Sequence, residues 1–151
     1  MELFQNHLDR QGDNVATTQM SGTLGDMPVG APEVYGGSPD VMNPEEMLLA
    51  SINSCLMLVF YHFADRHRVW ISSYHAVAEG KVDKTKDGLR FTEVRVKADI
   101  VPVDSEQASA IDDVAHLAEK YCLVSNALSC PVHYEVRVIN PTVVPQDEHY
   151  K

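Results

Sequence analysis

The stretch from Met47 to about Arg66 is apolar on nearly every side, and it constrains the fold more than any other feature of the chain. Met47, Leu48, Leu49, Ala50, Ile52, Cys55, Leu56, Met57, Leu58, Val59 and Phe60 leave little polar surface when wound into a helix. The four residues ahead of it, Asn43-Pro44-Glu45-Glu46, make a strong helix start. Asn caps free amides, Pro fits the first helical position, and two carboxylates face the positive end of the helix dipole. A helix this apolar must be covered on most sides, by the sheet of its own chain or by a second subunit. Ser51, Asn53, Ser54 and His62 interrupt it, and no run reaches the roughly 18 apolar residues that a membrane span needs. The expectation is a core helix over residues 43–67 and no membrane partner.

Around that helix the remaining pattern is mostly strand. Glu2 to Leu8, Asn14 to Met20 and Thr23 to Val29 are short segments broken by Gly and Asp, read as a meander within residues 1–30. A loop dense in turn residues, within 31–42, follows from Gly30-Ala31-Pro32 to Gly36-Gly37-Ser38-Pro39. Beyond the helix, Trp70 to Val82 and Leu89 to Val101 form a hairpin over 70–101, closed by Asp87-Gly88. Ile111, Val114, Ala115, Ala118 and Tyr121 recur at helical spacing within a second helix, 104–122. Val132, Tyr134, Val136 and Val138 alternate in a last strand, 132–139. Segregated strands and helices predict an α+β fold with antiparallel sheets, in one domain spanning 1–151.

Composition narrows the function classes. The 151 residues carry 12 Lys plus Arg against 22 Asp plus Glu, a formal charge of −10 that repels phosphate backbones and anionic lipid. Nucleic acid is therefore excluded as a partner. The opening Met1-Glu2-Leu3-Phe4-Gln5-Asn6-His7 lacks the basic-then-apolar layout of a secretory signal, so the expected location is the cytoplasm. A chain of this size buries about two-thirds of its unfolded surface without a metal or disulfide staple. Its three cysteines, Cys55, Cys122 and Cys130, contain no C-x-x-C pair, which argues against a disulfide framework and a zinc knuckle. They read as reduced thiols, either packed in the core or chemically active.

Two segments point to chemistry. Asn43-Pro44-Glu45-Glu46-Met47-Leu48-Leu49-Ala50-Ser51-Ile52-Asn53-Ser54-Cys55 resembles the N-P-E-E/Q-L-L-x-A-x-x-x-x-C signature of the OsmC/Ohr family, the osmotically induced and organic hydroperoxide resistance proteins. Cys122-Leu123-Val124-Ser125-Asn126-Ala127-Leu128 resembles the family's C-P-V-S-N/R-A-L segment, and Ala31 to Gly37 its Ala-Pro-x-x-x-Gly-Gly run. Leu123 stands where proline is usual, and Cys130 is additional. The arginine that such proteins place beside the thiol has no clear counterpart; Arg10, the only arginine ahead of Arg66, is its candidate.

The resemblance implies an intertwined homodimer with active sites at the subunit interface. It implies a peroxidase without cofactor or metal, in which Cys55 attacks the peroxide, Cys122 resolves the resulting sulfenic acid as a disulfide, and Glu45 orients the activating arginine. An external dithiol is the implied reductant. A thiol reacts only as thiolate, and Cys55 has no activating neighbour in sequence, so its activation must arrive from elsewhere in space. Ten helical residues separate Glu45 from Cys55, about 15 Å at 1.5 Å per residue, so Glu45 must act on a partner's thiol. The apolar helix favours organic hydroperoxides over hydrogen peroxide, at about 0.8 kcal/mol per buried methylene. His62, two turns beyond Cys55, reads as an interface hydrogen-bonding group, and Cys130 as a packing residue. A second reading stays open: a non-enzymatic stress or ligand-binding protein that keeps the same fold and an apolar interface pocket.

Overall fold

The computed structural model describes residues 1–12, 15–20 and 25–141. They fall into two compact units, Met1–Leu48 and Leu49–Lys151.

The first unit is a three-stranded antiparallel meander, β1 (Leu8–Gly12), β2 (Val15–Gln19) and β3 (Asp26–Gly30), in the order β1-β2-β3. Its first strand lies later than the sequence suggests: residues 2–7 carry no regular structure, and β1 runs through Arg10, where a register shift follows. Leu3, Phe4 and Leu8 are all exposed, so the apolar residues that suggested a strand are not buried by one. The expected strand starts Asn14 and Thr23 lie outside the described residues. Asn6 ties the unit together, its side chain donating to the Gln19 carbonyl and accepting from the buried Thr18 hydroxyl at 3.0 Å.

The turn-rich loop then makes a short 3-10 turn, Glu33–Tyr35, with the Pro32 carbonyl accepting from the amides of Tyr35 and Gly37. A Cβ on Gly37 would sit 1.6 Å from the Ala31 carbonyl oxygen, so only glycine closes this loop. Helix α1 (Pro44–Arg66) follows, and the Asn43 side chain accepts from the Glu46 amide at 2.8 Å, the N-cap that its sequence announces.

The second unit contains most of α1, the long hairpin of β4 (Ile71–Thr85) and β5 (Gly88–Pro102), helix α2 (Ala108–Tyr121), the short helix α3 (Leu123–Asn126) and β6 (Val132–Val138). A 3-10 turn, Ser105–Gln107, precedes α2, and the Asp104 side chain caps it at the Glu106 amide. The sheet order is β4-β5-β6, antiparallel at β4–β5 and parallel at β5–β6. The expected sheets were antiparallel throughout. The final pairing differs because β6 is reached through a helical crossover, which brings a strand back in the same direction.

One face of β5 supplies Val94, Val96, Ala98 and Ile100, all fully buried. Phe60 and Ala64 of α1 and Ile111, Val114, Ala115 and Ala118 of α2 pack with Ala98 and Ile100 into one core. The molecule is α+β, with two helices on one face of this sheet. In α1, burial follows a single stripe, Ile52, Leu56, Phe60 and Ala64, while Leu58 and Tyr61 are exposed. By length and composition α1 is nevertheless apolar enough to cross a membrane. Ser51, Asn53, Ser54 and His62 break the apolar run without making the helix polar. In the structure the stripe packs within the second unit, and the Asn53 side chain donates to the Ala76 carbonyl of edge strand β4 at 3.3 Å.

Candidate functional site

Cys55 and Cys122 meet although about 65 residues of chain separate them. Cys55 stands on α1 one position before Leu56 of the buried stripe and is itself half-buried. Cys122 occupies the break between α2 and α3, fully buried, with extended backbone angles of φ −68° and ψ 106°. That conformation ends α2 and starts α3, so Cys122 is both the last cap of one helix and the first of the next. Its sulfur accepts from the Ser125 amide at 3.5 Å, its carbonyl from the Asn126 amide at 3.1 Å and from the Ser125 hydroxyl at 3.2 Å. The three cysteines are all free thiols.

Cys55 lies beside the Cys122 side chain and the main chain of Val124 and Leu123. The balance of forces on its proton follows from that environment. Burial is the largest and raises the thiol above its ordinary value; the Val124 amide opposes it; the Cys122 side chain, by hydrogen bond and by charge, raises it further; the Leu123 amide lowers it. No cation is among the described groups acting on Cys55. The groups that lower the thiol are main-chain ones, and on balance it stands above its ordinary value. Reasoning from side chains missed them. The detectable signal was the Leu-Val-Ser-Asn segment after Cys122, where a chain leaving one helix and starting another exposes its first amides.

Behind the thiols lies an aromatic cluster. The Tyr74 and Tyr134 hydroxyls are 2.6 Å apart, and the rings of Phe60, Tyr61 and Tyr74 pack with centroids 5.6 to 6.0 Å from one another. Burial pushes the Tyr134 hydroxyl far above its ordinary range, with the Tyr74 hydroxyl and the charge of Cys122 adding to the effect. Tyr61 is partly exposed, and Phe63 stacks on Tyr121, whose other neighbour is the Lys120 ammonium, 5.2 Å from the ring centre.

Of the remaining expected residues, Glu45 and Arg10 belong to the first unit, and Cys55 to the second. Glu45 lies in the first turn of α1, where its Oε2 is buried without a hydrogen-bond partner among the described residues. Arg10 is exposed on β1, opposite Ala16 of β2. His62 is exposed, its ring edge on Phe63 at 5.2 Å, and Cys130 sits half-buried just ahead of β6. Among the described residues no group of three or more His, Cys, Asp or Glu is placed to hold a metal ion.

The sequence model of the OsmC-like protein family matches residues 37–137. Among solved structures, an OsmC-like protein of unknown function from Vibrio cholerae superposes with a TM-score of 0.82 at 21% identity, over 91% of this chain and 100% of that one. A hypothetical protein from Aquifex aeolicus gives 0.74 at 23% identity, over 93% and 98%. An organic hydroperoxide resistance protein from Legionella pneumophila gives 0.70 at 20% identity, over 91% and 98%. No curated protein matches the chain. At these identities the structural likeness establishes the fold and leaves the chemistry to the residues.

Proposed function

The chain belongs to the OsmC-like protein family, and from that premise we propose that it is a thiol-dependent peroxidase acting on organic hydroperoxides. The observation that carries this reading is the apposition of Cys55 and Cys122, one half-buried and one fully buried, with the Cys122 sulfur accepting from the Ser125 amide. Some structural relatives bear the name organic hydroperoxide resistance protein, which agrees with it.

The proposed cycle starts with the Cys55 thiolate attacking the distal oxygen of ROOH. The O–O bond breaks, RO⁻ leaves with the electron pair and takes a proton from solvent, and Cys55 becomes a sulfenic acid, oxidised by two electrons. The Cys122 thiol then displaces water from it, forming the Cys55–Cys122 disulfide. An external dithiol reduces the bridge in a reducing cytoplasm. Burial raises the lone thiol, so turnover needs a cation beside it. We assign that role to an arginine held by Glu45 of a second copy, Arg10 being the candidate; the orphaned Oε2 of Glu45 is the acceptor such an arginine would satisfy.

A non-enzymatic binding protein is the competing reading, favoured by the absence of a cation among the described groups acting on Cys55. The two separate cleanly. Reduced protein is treated for a few seconds with one equivalent of cumene hydroperoxide, quenched with an alkylating agent, and mapped by mass spectrometry. A peroxidase gives a Cys55–Cys122 disulfide that Cys55→Ser abolishes, and reacts with hydrogen peroxide more slowly. Three alkylated, unoxidised thiols would establish the binding protein instead.

A further inference from the structure

Half of the 12 basic residues in this acidic chain, Lys81, Lys84, Lys86, Arg90, Arg95 and Lys97, fall on one stretch of the β4–β5 hairpin. Toward the sheet, Lys81 pairs with Asp83 at 3.5 Å, and Arg95 pairs with Glu93 and with Glu135. At the turn the pattern changes. Lys84, Lys86 and Arg90 are exposed and belong to no ion pair among the described residues. Asp83 faces Arg90 across the ladder, but its carboxylate is already taken by the Thr92 hydroxyl at 2.5 Å and by Lys81. Residues 84–90 thus hold three cations against one carboxylate, Asp87, in a chain with a formal charge of −10.

The turn is fixed from within. The Thr85 hydroxyl donates to the Gly88 carbonyl at 2.8 Å and accepts from the Asp87 amide at 3.1 Å, and Gly88 takes a φ of 99° that suits glycine alone. Such a support is ordered before anything binds, so association costs little backbone freedom. Val94, opposite Gly80, is the last fully buried residue on the way to the turn. Six residues at about 3.3 Å each put Lys86 roughly 20 Å beyond that point. This is about twice the screening length at 0.1 M salt, so carboxylates further back in the second unit are largely screened from the turn. Alternation along the strands sets Lys84 and Arg90 on opposite faces of the ribbon, with Lys86 between them at its end. Leu89, opposite Lys84, has 60% of its surface accessible. A flat anionic surface meets only the end of such a ribbon, whereas a flexible acidic chain closes around it, reaching all three cations and covering Leu89.

We propose that the β4–β5 turn is a docking site for an acidic peptide segment of another protein, whose carboxylates pair with Lys84, Lys86 and Arg90. The probe is a fluorescently labelled decaglutamate peptide, and its binding to the full chain is read by fluorescence anisotropy at about 50 and 300 mM sodium chloride. Wild type should bind, and more weakly at the higher salt. A Lys84→Gln, Lys86→Gln, Arg90→Gln triple variant should lose at least about 10-fold in affinity. An Arg66→Gln, Arg68→Gln, Lys97→Gln variant, with the same net charge, should stay within about 2-fold of wild type. A wild type that does not bind, or an equal loss in the two variants, would overturn the proposal. So would tighter binding to duplex DNA or to phosphatidylserine vesicles than to the peptide. In unmodified protein the peptide should shift the amide resonances of residues 84–90 in heteronuclear NMR spectra; shifts confined to other residues would place the contact elsewhere and overturn it without any variant.

Discussion

Cys122 carries two jobs that substitution separates. Its sulfur accepts the Ser125 amide at 3.5 Å, a weak cap, while the same atom is the proposed resolving thiol. A serine oxygen is a better cap acceptor than a thiol, so Cys122→Ser should fold with undiminished stability in urea titrations. Cys122→Ala loses the cap and should be destabilised by about 1 kcal/mol. Both should stop at the sulfenic acid after one turnover, trapped as a dimedone adduct on Cys55, whereas wild type forms the disulfide. A wild-type yield of adduct equal to that of Cys122→Ser would remove Cys122 from the cycle. The pairing was legible only through the resemblance of two motifs, because nothing in the spacing of Cys55 and Cys122 says that a crossover helix brings them together. The main chain of Leu123 and Val124 was legible only indirectly, as a segment that leaves one helix and starts another.

Helix α1 was the most legible element, expected over 43–67 and found at Pro44–Arg66, because its cap, proline and carboxylates act locally. The hairpin and α2 were found within a few residues of their expected bounds for the same reason: alternation and helical spacing are short-range signals. β1 was misplaced because Leu3 and Phe4 suggest a strand that nothing buries, and the parallel β5–β6 pairing escaped because direction is set by topology. Which side of α1 meets the sheet was equally invisible in a helix apolar all round; the structure selects Ile52, Leu56, Phe60 and Ala64. Truncating that stripe and its uncovered opposite should therefore differ. Phe60→Ala should cost about 3–5 kcal/mol of unfolding free energy, as a large side chain leaves a full core. Leu58→Ala, at a residue with 63% of its surface accessible, should cost the isolated chain about 0.5 kcal/mol or less. Strand β4 records the closeness of α1 at Gly80, where a Cβ would lie 2.5 Å from the Phe91 ring and 2.9 Å from the Leu49 side chain. Gly80→Val should lower the melting temperature through overpacking of about 1–3 kcal/mol, read by calorimetry.

At the level of the whole molecule the question is what covers the remaining apolar surface of α1. Leu58 and Tyr61 stand exposed on a helix whose other side is already in the core, and a second copy of this chain is the proposed cover. Charge makes that association conditional. Each copy has a formal charge of −10, so two copies approach against a net repulsion, and only buried apolar contact favours the pair. Repulsion between exposed charges is screened within about 30 Å at 0.01 M salt and about 10 Å at 0.1 M, while apolar contact is not weakened by salt at these strengths. The dimer should therefore tighten as sodium chloride rises from about 10 to 300 mM, the reverse of an interface built on ion pairs. Sedimentation equilibrium measures this directly. Leu58→Glu adds a charge to the apolar face and should raise the dissociation constant at least about 100-fold, roughly 2.7 kcal/mol. If a partner's arginine activates Cys55, oxidation by cumene hydroperoxide should fall in step with the dimer fraction in Leu58→Glu and recover at high protein concentration. A monomeric Leu58→Glu that oxidises at the wild-type rate would show that one chain is the complete peroxidase.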